Sequence, residues 1–176
     1  MIIFTTLKQK DLAAVSAQQL FDHYASKGNR PTAIQRFEQY TITGNIIESE
    51  LRHVIESTYI FSNPNKHHLL LDKQRFNPSH YYFNVSRKKP LNLTSKMIAL
   101  SKECPDQIIK SVTMSELWGI QLTMPTETPN DLISYFIEST PSTIAPLAHP
   151  LIHTVSWVPH SALFDEITQP SQINHI

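Results

Sequence analysis

The sequence predicts an α+β domain, because two kinds of hydrophobic pattern occur along it. In several segments apolar residues recur at helical spacing, whereas others alternate or are rich in β-branched and aromatic residues, as is typical of strands. The chain has 176 residues, 40% hydrophobic and 17% charged, a composition typical of globular proteins. We therefore expect a single domain over residues 1–176, with N-terminal helices at 1–57, a central basic antiparallel β-meander at 58–90 and a mixed, Pro-rich C-terminal part at 91–176.

The first 57 residues are predicted to be mainly helical. Residues 1–6 are β-branched and aromatic, which favours a short initial strand. Asp11 is a candidate N-cap for the first helix, because its carboxylate can accept a hydrogen bond from an unpaired backbone N–H group. A second helix is expected after Pro31, where apolar residues recur at helical spacing, and a third over residues 45–57.

Residues 58–86 predict three antiparallel strands. Short aromatic and β-branched segments at 58–62, 67–72 and 80–86 are separated by turns that contain Pro64 and Pro78. Successive side chains of a strand point to opposite faces, which divides the third strand into two sets. We expect a core face and a face for solvent or a ligand, formed respectively by Tyr81, Phe83 and Val85 and by His80, Tyr82, Asn84 and Ser86.

The segment after Pro90 mixes helical and strand patterns. Apolar residues recur at helical spacing in some of its stretches and alternate in others, and Asn and Thr are candidate helix caps. Helices are predicted at 92–104, 106–116 and from Asn130, and strands at 117–124 and 151–158.

The formal net charge of zero conceals an uneven distribution. Residues 66–110 carry nine Lys or Arg against three Asp or Glu, whereas residues 111–176 carry none against six. The basic segment is typical of a binding surface for an anionic partner. The acidic C-terminal third either faces a partner of its own or folds back on the basic segment, and both arrangements stay open.

The basic meander predicts a surface for a polyanion, with nucleic acid as the first choice. Lys and Arg neutralise phosphates, and an exposed Tyr82 would stack on a base. No helix-turn-helix, RRM, KH or zinc-finger pattern accompanies them. The leading expectation is a non-enzymatic binding or regulatory protein without a cofactor. Its nucleic-acid-binding residues are predicted to be Lys66, Lys73, Arg75, Tyr82, Arg87, Lys88 and Lys89.

Two other functions compete with this one. The Lys/Arg-free C-terminal third suits a protein–protein interaction module or an inhibitor. Alternatively, His80 and Arg75 suit a small phosphodiester-cleaving enzyme, because imidazole transfers protons at neutral pH and a guanidinium binds phosphate.

Several other site types are not expected. His149 and His153 are four residues apart, but Pro150 favours an extended segment, which would separate them by about 13 Å, too far to share a metal ion. The single cysteine, Cys104, excludes a disulfide within the chain, and three glycines argue against a glycine-rich phosphate loop. We expect a cytoplasmic protein with no membrane partner, because neither a signal peptide nor a long apolar window is evident; export without a cleaved signal stays open.

Overall fold

The computed structural model describes residues 1–24, 31–71, 76–124, 148 and 151–163. Its strands, β1 to β6 in chain order, are Ile2–Leu7, Pro31–Asn45, His67–Leu70, Tyr81–Arg87, Ile108–Leu122 and His153–Val158. The helices within these ranges, α1 to α4, are Leu12–Tyr24, Glu48–Ser57, Thr94–Glu103 and His160–Leu163. The predicted α+β class is therefore confirmed.

The strands form one antiparallel sheet in the order β3-β1-β2-β5-β4-β6. Its centre is the ladder between β2 and β5, which are each 15 residues long. The ladder runs from the pair Pro31 and Leu122 to the pair Asn45 and Ile108. Because side chains alternate along a strand, this register fixes which residues share a face.

Helices α1, α2 and α3 pack on one face of the sheet, here called the helical face. Two apolar clusters of buried residues lie beneath them. The first cluster joins the sheet to α2 and α3 through Ile3, Tyr40, Ile42, Leu51, Ile55, Leu100 and Val112. The second cluster joins the sheet to α1 through Ala14, Ala17, Phe83, Val85, Trp118, Ile120 and Leu122. On the opposite face, residues 76–80 and α4 cover a third cluster of Phe4, Phe37, Leu70, Phe76, Tyr82, Leu117 and Leu163.

Two segments predicted as helices are strands. Residues 31–45 form β2, and residues 106–116 belong mostly to β5, which also contains the strand predicted at 117–124. Helical spacing of apolar residues in both segments coexists with many β-branched and aromatic residues. Pairing of the two segments with each other along the full ladder decides the outcome, because strand formation depends on cross-strand neighbours.

The three-stranded meander predicted at 58–86 is not formed. Within the described ranges, residues 58–62 lie outside the strands, β3 pairs only with β1, and β4 pairs with β5 and β6. The strands β1, β2 and β5 therefore lie between β3 and β4. The physical reason is burial: paired with β1, β5 and β6, the strands β3 and β4 place their apolar residues in the buried clusters of the sheet.

Other local predictions are confirmed. The initial strand, α1, α2, α3 and β6 occur where the patterns place them. Oδ1 of Asp11 accepts hydrogen bonds from the backbone N–H groups of Ala13 and Ala14, at 2.9 and 3.4 Å, so Asp11 is the predicted N-cap. The helix predicted from Asn130 lies outside the described residues. Within the described ranges, no helix has the length and apolar composition that crossing a bilayer requires.

Candidate functional site

The predicted basic residues are divided between two corners of the sheet. Lys66 is exposed just before β3, and its carbonyl oxygen accepts a hydrogen bond from the backbone N–H of Lys8 at 2.8 Å. Arg87, Lys88 and Lys89 are exposed where β4 ends. Lys73 and Arg75 lie outside the described residues.

The two corners are too far apart to act as one basic face. Four strand steps separate β3 from β4, which is about 19 Å at the usual strand spacing. Among the described residues, Lys66 and Arg87 therefore do not belong to one basic surface across a meander. Arg87, Lys88 and Lys89, here called the basic corner, form the larger of the two groups.

The basic corner is anchored by backbone pairing and is electrostatically unpaired. Arg87 is opposite His153 of β6, and the backbone N–H of Lys88 donates to the carbonyl oxygen of Ile152 at 2.8 Å. Among the described residues, none of the three cationic side chains forms an ion pair. Their charges are therefore directed to solvent and available to an anionic partner.

A strip of neutral polar side chains on the opposite face leads to the basic corner. Ser86 and Thr154 share a hydrogen bond of 2.9 Å between their hydroxyl groups. Nδ2 of Asn84 donates to Ser115 and to Gln39, each at 3.2 Å. This polar strip, to which Ser156 also belongs by its pairing with Asn84, offers hydrogen-bond donors and acceptors next to the cationic side chains.

Tyr82 cannot stack on a base, which corrects the prediction. Its relative exposure is 0%, because residues 76–80 and α4 cover its face of the sheet. The ring packs edge-on against Phe76 at a centroid distance of 5.4 Å. Its hydroxyl group donates to the carbonyl oxygen of Asn77 and accepts from the N–H of the same residue, at 3.2 and 2.9 Å. Burial raises the pKa of Tyr82 to about 12.

Gly119 allows the ring of Tyr82 to lie flat across the sheet. A Cβ atom at position 119 would be 2.7 Å from Cε1 of Tyr82, closer than real Cβ atoms approach. Tyr82 and Gly119 are register partners in β4 and β5. The absence of a side chain at this position is therefore what makes room for the ring.

His80 is buried beside this ring, with a relative exposure of 4%. It stacks on Tyr82 at a centroid distance of 6.1 Å, and its Nδ1 has no hydrogen-bond partner in the part of the chain that the structure describes. Burial lowers the pKa of the imidazole. A buried, neutral imidazole is badly placed to exchange protons with a phosphodiester, and Arg75, its predicted partner, lies outside the described residues. The geometry therefore gives the phosphodiesterase alternative no support.

The histidines of the C-terminal part do not gather around a metal site in the described residues. His149 lies outside them, His153 is in β6, and Nε2 of His160 donates to the carbonyl oxygen of His80 at 2.7 Å. No group of three potential metal ligands is found there.

The sequence patterns missed a polar seam on the helical face, formed by Asp11, Arg36, Glu38 and Glu116. Arg36 lies between two carboxylates: its Nε is 2.9 Å from Oδ2 of Asp11, and its Nη1 is 2.9 Å from Oε1 of Glu116. Burial alone would lower the pKa of Arg36, but the hydrogen bonds and negative charges of these two carboxylates raise it. Asp11 therefore caps α1 and also fixes a guanidinium group of β2.

Glu38 forms the second half of the polar seam. Its Oε2 accepts hydrogen bonds from the hydroxyl groups of Tyr40 and Thr5, at 2.6 and 3.3 Å. Burial, followed by the bond to Glu38, raises the pKa of Tyr40 above its usual range. Lys96 lies over the ring of Tyr40, with 5.2 Å between its Nζ and the ring centroid, and donates to the carbonyl oxygen of Ile60.

The chain matches no protein-family model, no curated protein and no solved structure at a significant level.

Proposed function

We propose that the protein is a non-enzymatic binding protein that contacts a phosphate-rich polyanion, with nucleic acid as the first choice, through the basic corner. The observation that carries the proposal is the exposure of three consecutive cationic side chains, Arg87, Lys88 and Lys89, none of which has an ion-pair partner in the described part of the chain. Such side chains release counterions from a phosphate backbone when they bind it.

The polar strip supports the same proposal. Hydroxyl and amide side chains are common ligands of phosphate and sugar oxygens in nucleic-acid interfaces. Ser86 of β4 and Thr154 of β6 place their hydroxyl groups next to the basic corner. Tyr82, the aromatic side chain predicted to stack on a base, is buried. The protein would therefore contact the sugar-phosphate backbone of the nucleic acid and show little sequence preference.

The test is a titration of fluorescent single- and double-stranded DNA and RNA across a salt series. The slope of log K against log[salt] should be about −0.9 for each phosphate contacted in duplex DNA, hence roughly −2.7 for three contacts. The variant Arg87→Ala/Lys88→Ala/Lys89→Ala should lose roughly tenfold or more in affinity at low ionic strength.

A matched control removes the same charge elsewhere. The variant Lys8→Ala/Lys66→Ala/Lys102→Ala also loses three positive charges, but from the other corner and from α3. It should bind nearly as well as the unmodified protein. Equal losses in both variants would show a general charge effect and contradict the assignment to the basic corner.

Two further outcomes would contradict the proposal. Cleavage of the probes would contradict its non-enzymatic part. Phosphatidylglycerol vesicles are tested as a second polyanion. Leu151 and Ile152 are exposed beside the basic corner, Leu151 by 80%, and apolar side chains next to cationic ones also suit an anionic lipid surface. Binding to these vesicles without binding to any of the four nucleic acids would replace nucleic acid by a lipid surface as the partner.

A further inference from the structure

The edge of β2 is only partly covered by its neighbour β1. The register between β1 and β2 runs from Thr41 to Glu38, whereas β5 accompanies β2 along its whole length. The stretch of β2 from Pro31 to Phe37 therefore has a described strand on one side only. Open strand edges present unpaired backbone N–H and C=O groups.

The backbone of Ile34 is directed to this open side. The N–H group of Ile42 donates to Met1, and the carbonyl oxygen of Arg36 accepts from the hydroxyl group of Thr6, at 2.9 and 3.1 Å, so both residues point their backbone groups toward β1. Residues two apart in a strand share this direction, which places the N–H and C=O groups of Ile34 on the same side. Neither group has a hydrogen-bond partner among the described residues.

The carbonyl groups on either side of Ile34 are already satisfied. Nε2 of Gln18 donates to the carbonyl oxygen of Pro31 at 2.8 Å, as Thr6 does for Arg36. These side chains close the two ends of the open edge. In the gap between them, the N–H and C=O groups of Ile34 face the open side.

A groove of about 400 Å³ runs beside the gap, between the edge of β2 and helix α1. Ala14 and Val15 of α1 and Ile34 of β2 give it an apolar floor. Asp11 and Arg36 also line it as an ion pair, and Arg36 is shared with Glu116, which lies outside the lining. Lys10 is exposed at the groove and has no ion-pair partner in the described ranges, so its ammonium group is available to an acidic side chain.

We infer that this groove binds an extended peptide segment of a partner protein, which adds to β2 as a strand and places an acidic side chain next to Lys10. An extended backbone offers a donor and an acceptor that match the N–H and C=O groups of Ile34. The open edge from Thr32 to Arg36 is roughly 16 Å long, which accommodates about five residues. The site is separate from the basic corner and does not depend on it.

The inference is tested with a displayed library of random peptides about ten residues long, selected on the full-length protein and then synthesised. Enriched peptides should share an acidic residue within a β-branched sequence. A bound peptide should slow hydrogen exchange at the amide of Ile34, because that N–H becomes hydrogen-bonded.

Three variants locate the site. Val15→Trp fills the groove and should reduce affinity more than tenfold, whereas Lys10→Glu reverses the charge and should reduce it about fivefold. Lys102→Glu makes the same charge change on α3 and should leave the affinity unchanged. The variant Arg87→Ala/Lys88→Ala/Lys89→Ala should also bind the peptide normally, which separates this test from that of the proposed function.

The inference is overturned by either of two results. One is a selection that enriches no peptide family on the unmodified protein. The other is a peptide whose binding leaves exchange at Ile34 unchanged and responds equally to Lys10→Glu and Lys102→Glu. If Val15→Trp does not fold, as judged by circular dichroism, the exchange measurement and the Lys10 variant decide the question.

Discussion

At the scale of single residues, burial determines what His80 and Tyr82 can do. Both side chains point to the face of β4 that the alternation pattern assigned to solvent or a ligand. Residues 76–80 and α4 cover that face instead. The hydroxyl group of Tyr82 consequently donates to and accepts from Asn77, whereas Nδ1 of His80 has no hydrogen-bond partner among the described residues.

The buried imidazole predicts a pH dependence of stability. Burial lowers the pKa of His80 in the folded state, so the unfolded chain binds a proton more readily below its usual pKa of 6.5. Its contribution to stability is complete above that pH and is lost as the pH falls toward the lowered folded value. His80→Phe should therefore flatten the dependence of the unfolding free energy on pH in this range, measured by urea denaturation.

An exposed histidine provides the control for this experiment. His53→Phe on α2 should leave the pH dependence as it is in the unmodified protein. Parallel curves for His80→Phe and the unmodified protein would show that His80 is not the group that titrates.

Residue exposure was only partly predictable from the sequence. Arg87, Lys88 and Lys89 are exposed as expected, because charged side chains at a strand end are costly to bury. Tyr82 was assigned to the wrong environment, since alternation distinguishes the two faces of a strand but does not show whether both are covered. Its hydroxyl group made it compatible with either environment.

At the scale of elements, Asp11 connects α1 to the central strand β2. One carboxylate oxygen caps the helix, and the other binds the guanidinium group of Arg36. These two roles differ in what they require, because an amide oxygen can cap a helix but does not carry the charge that Arg36 faces.

Two substitutions at this position should separate the roles. Asp11→Asn keeps a capping oxygen and loses the ion pair, and should cost about 1 kcal/mol of unfolding free energy. Asp11→Ala loses both and should cost about 2 kcal/mol. Glu56→Ala, at an exposed carboxylate of α2, should stay within about 0.5 kcal/mol. Equal costs for the two Asp11 variants, measured by urea denaturation, would show that only one role matters.

The same seam explains why β2 was predicted as a helix. In β2 the inward positions of the helical face include Arg36 and Glu38, between Ile34 and Tyr40. Two charged residues at core-facing positions conceal the alternation that marks a strand, and the remaining apolar residues then fit helical spacing. Their burial is possible because of partners in other elements, which the local sequence does not show.

At the scale of the whole molecule, the polar seam separates two apolar clusters on one face of the sheet. The first cluster contains Ile42 and Ile55, and the second contains Ile120. Substitutions in separate clusters share no contact, so their effects should add.

Paired substitutions test this division. Ile55→Val and Ile120→Val should each cost about 1 kcal/mol, and their combination should equal the sum within about 0.5 kcal/mol. Ile55→Val combined with Ile42→Val, both in the first cluster, provides the matched pair in which a larger deviation is expected. A deviation between the clusters as large as that within one would show that the seam transmits packing changes across the sheet.

The charge distribution was visible in the sequence, but its arrangement in space was not. Of the Lys and Arg in residues 66–110, Lys66, Arg87, Lys88 and Lys89 are exposed, whereas Lys96 is half-buried. Their division between two corners follows from the order of the strands, which local patterns do not encode. Much of the acidic C-terminal third, including 125–147 and 164–176, lies outside the described residues, so its predicted role as a protein-binding surface stays a prediction.

The alternation along β2 also restricts how this protein can change during evolution. Inserting or deleting one residue between Ile34 and Tyr40 would turn Arg36 or Glu38 to the other face and bring their neighbours under the helices. Inserting two residues would keep each side chain on its face of the sheet, but would change the β5 partners of the residues beyond the insertion. Descendants of this gene should therefore accept length changes in the turn before β3 and keep the length of β2 constant.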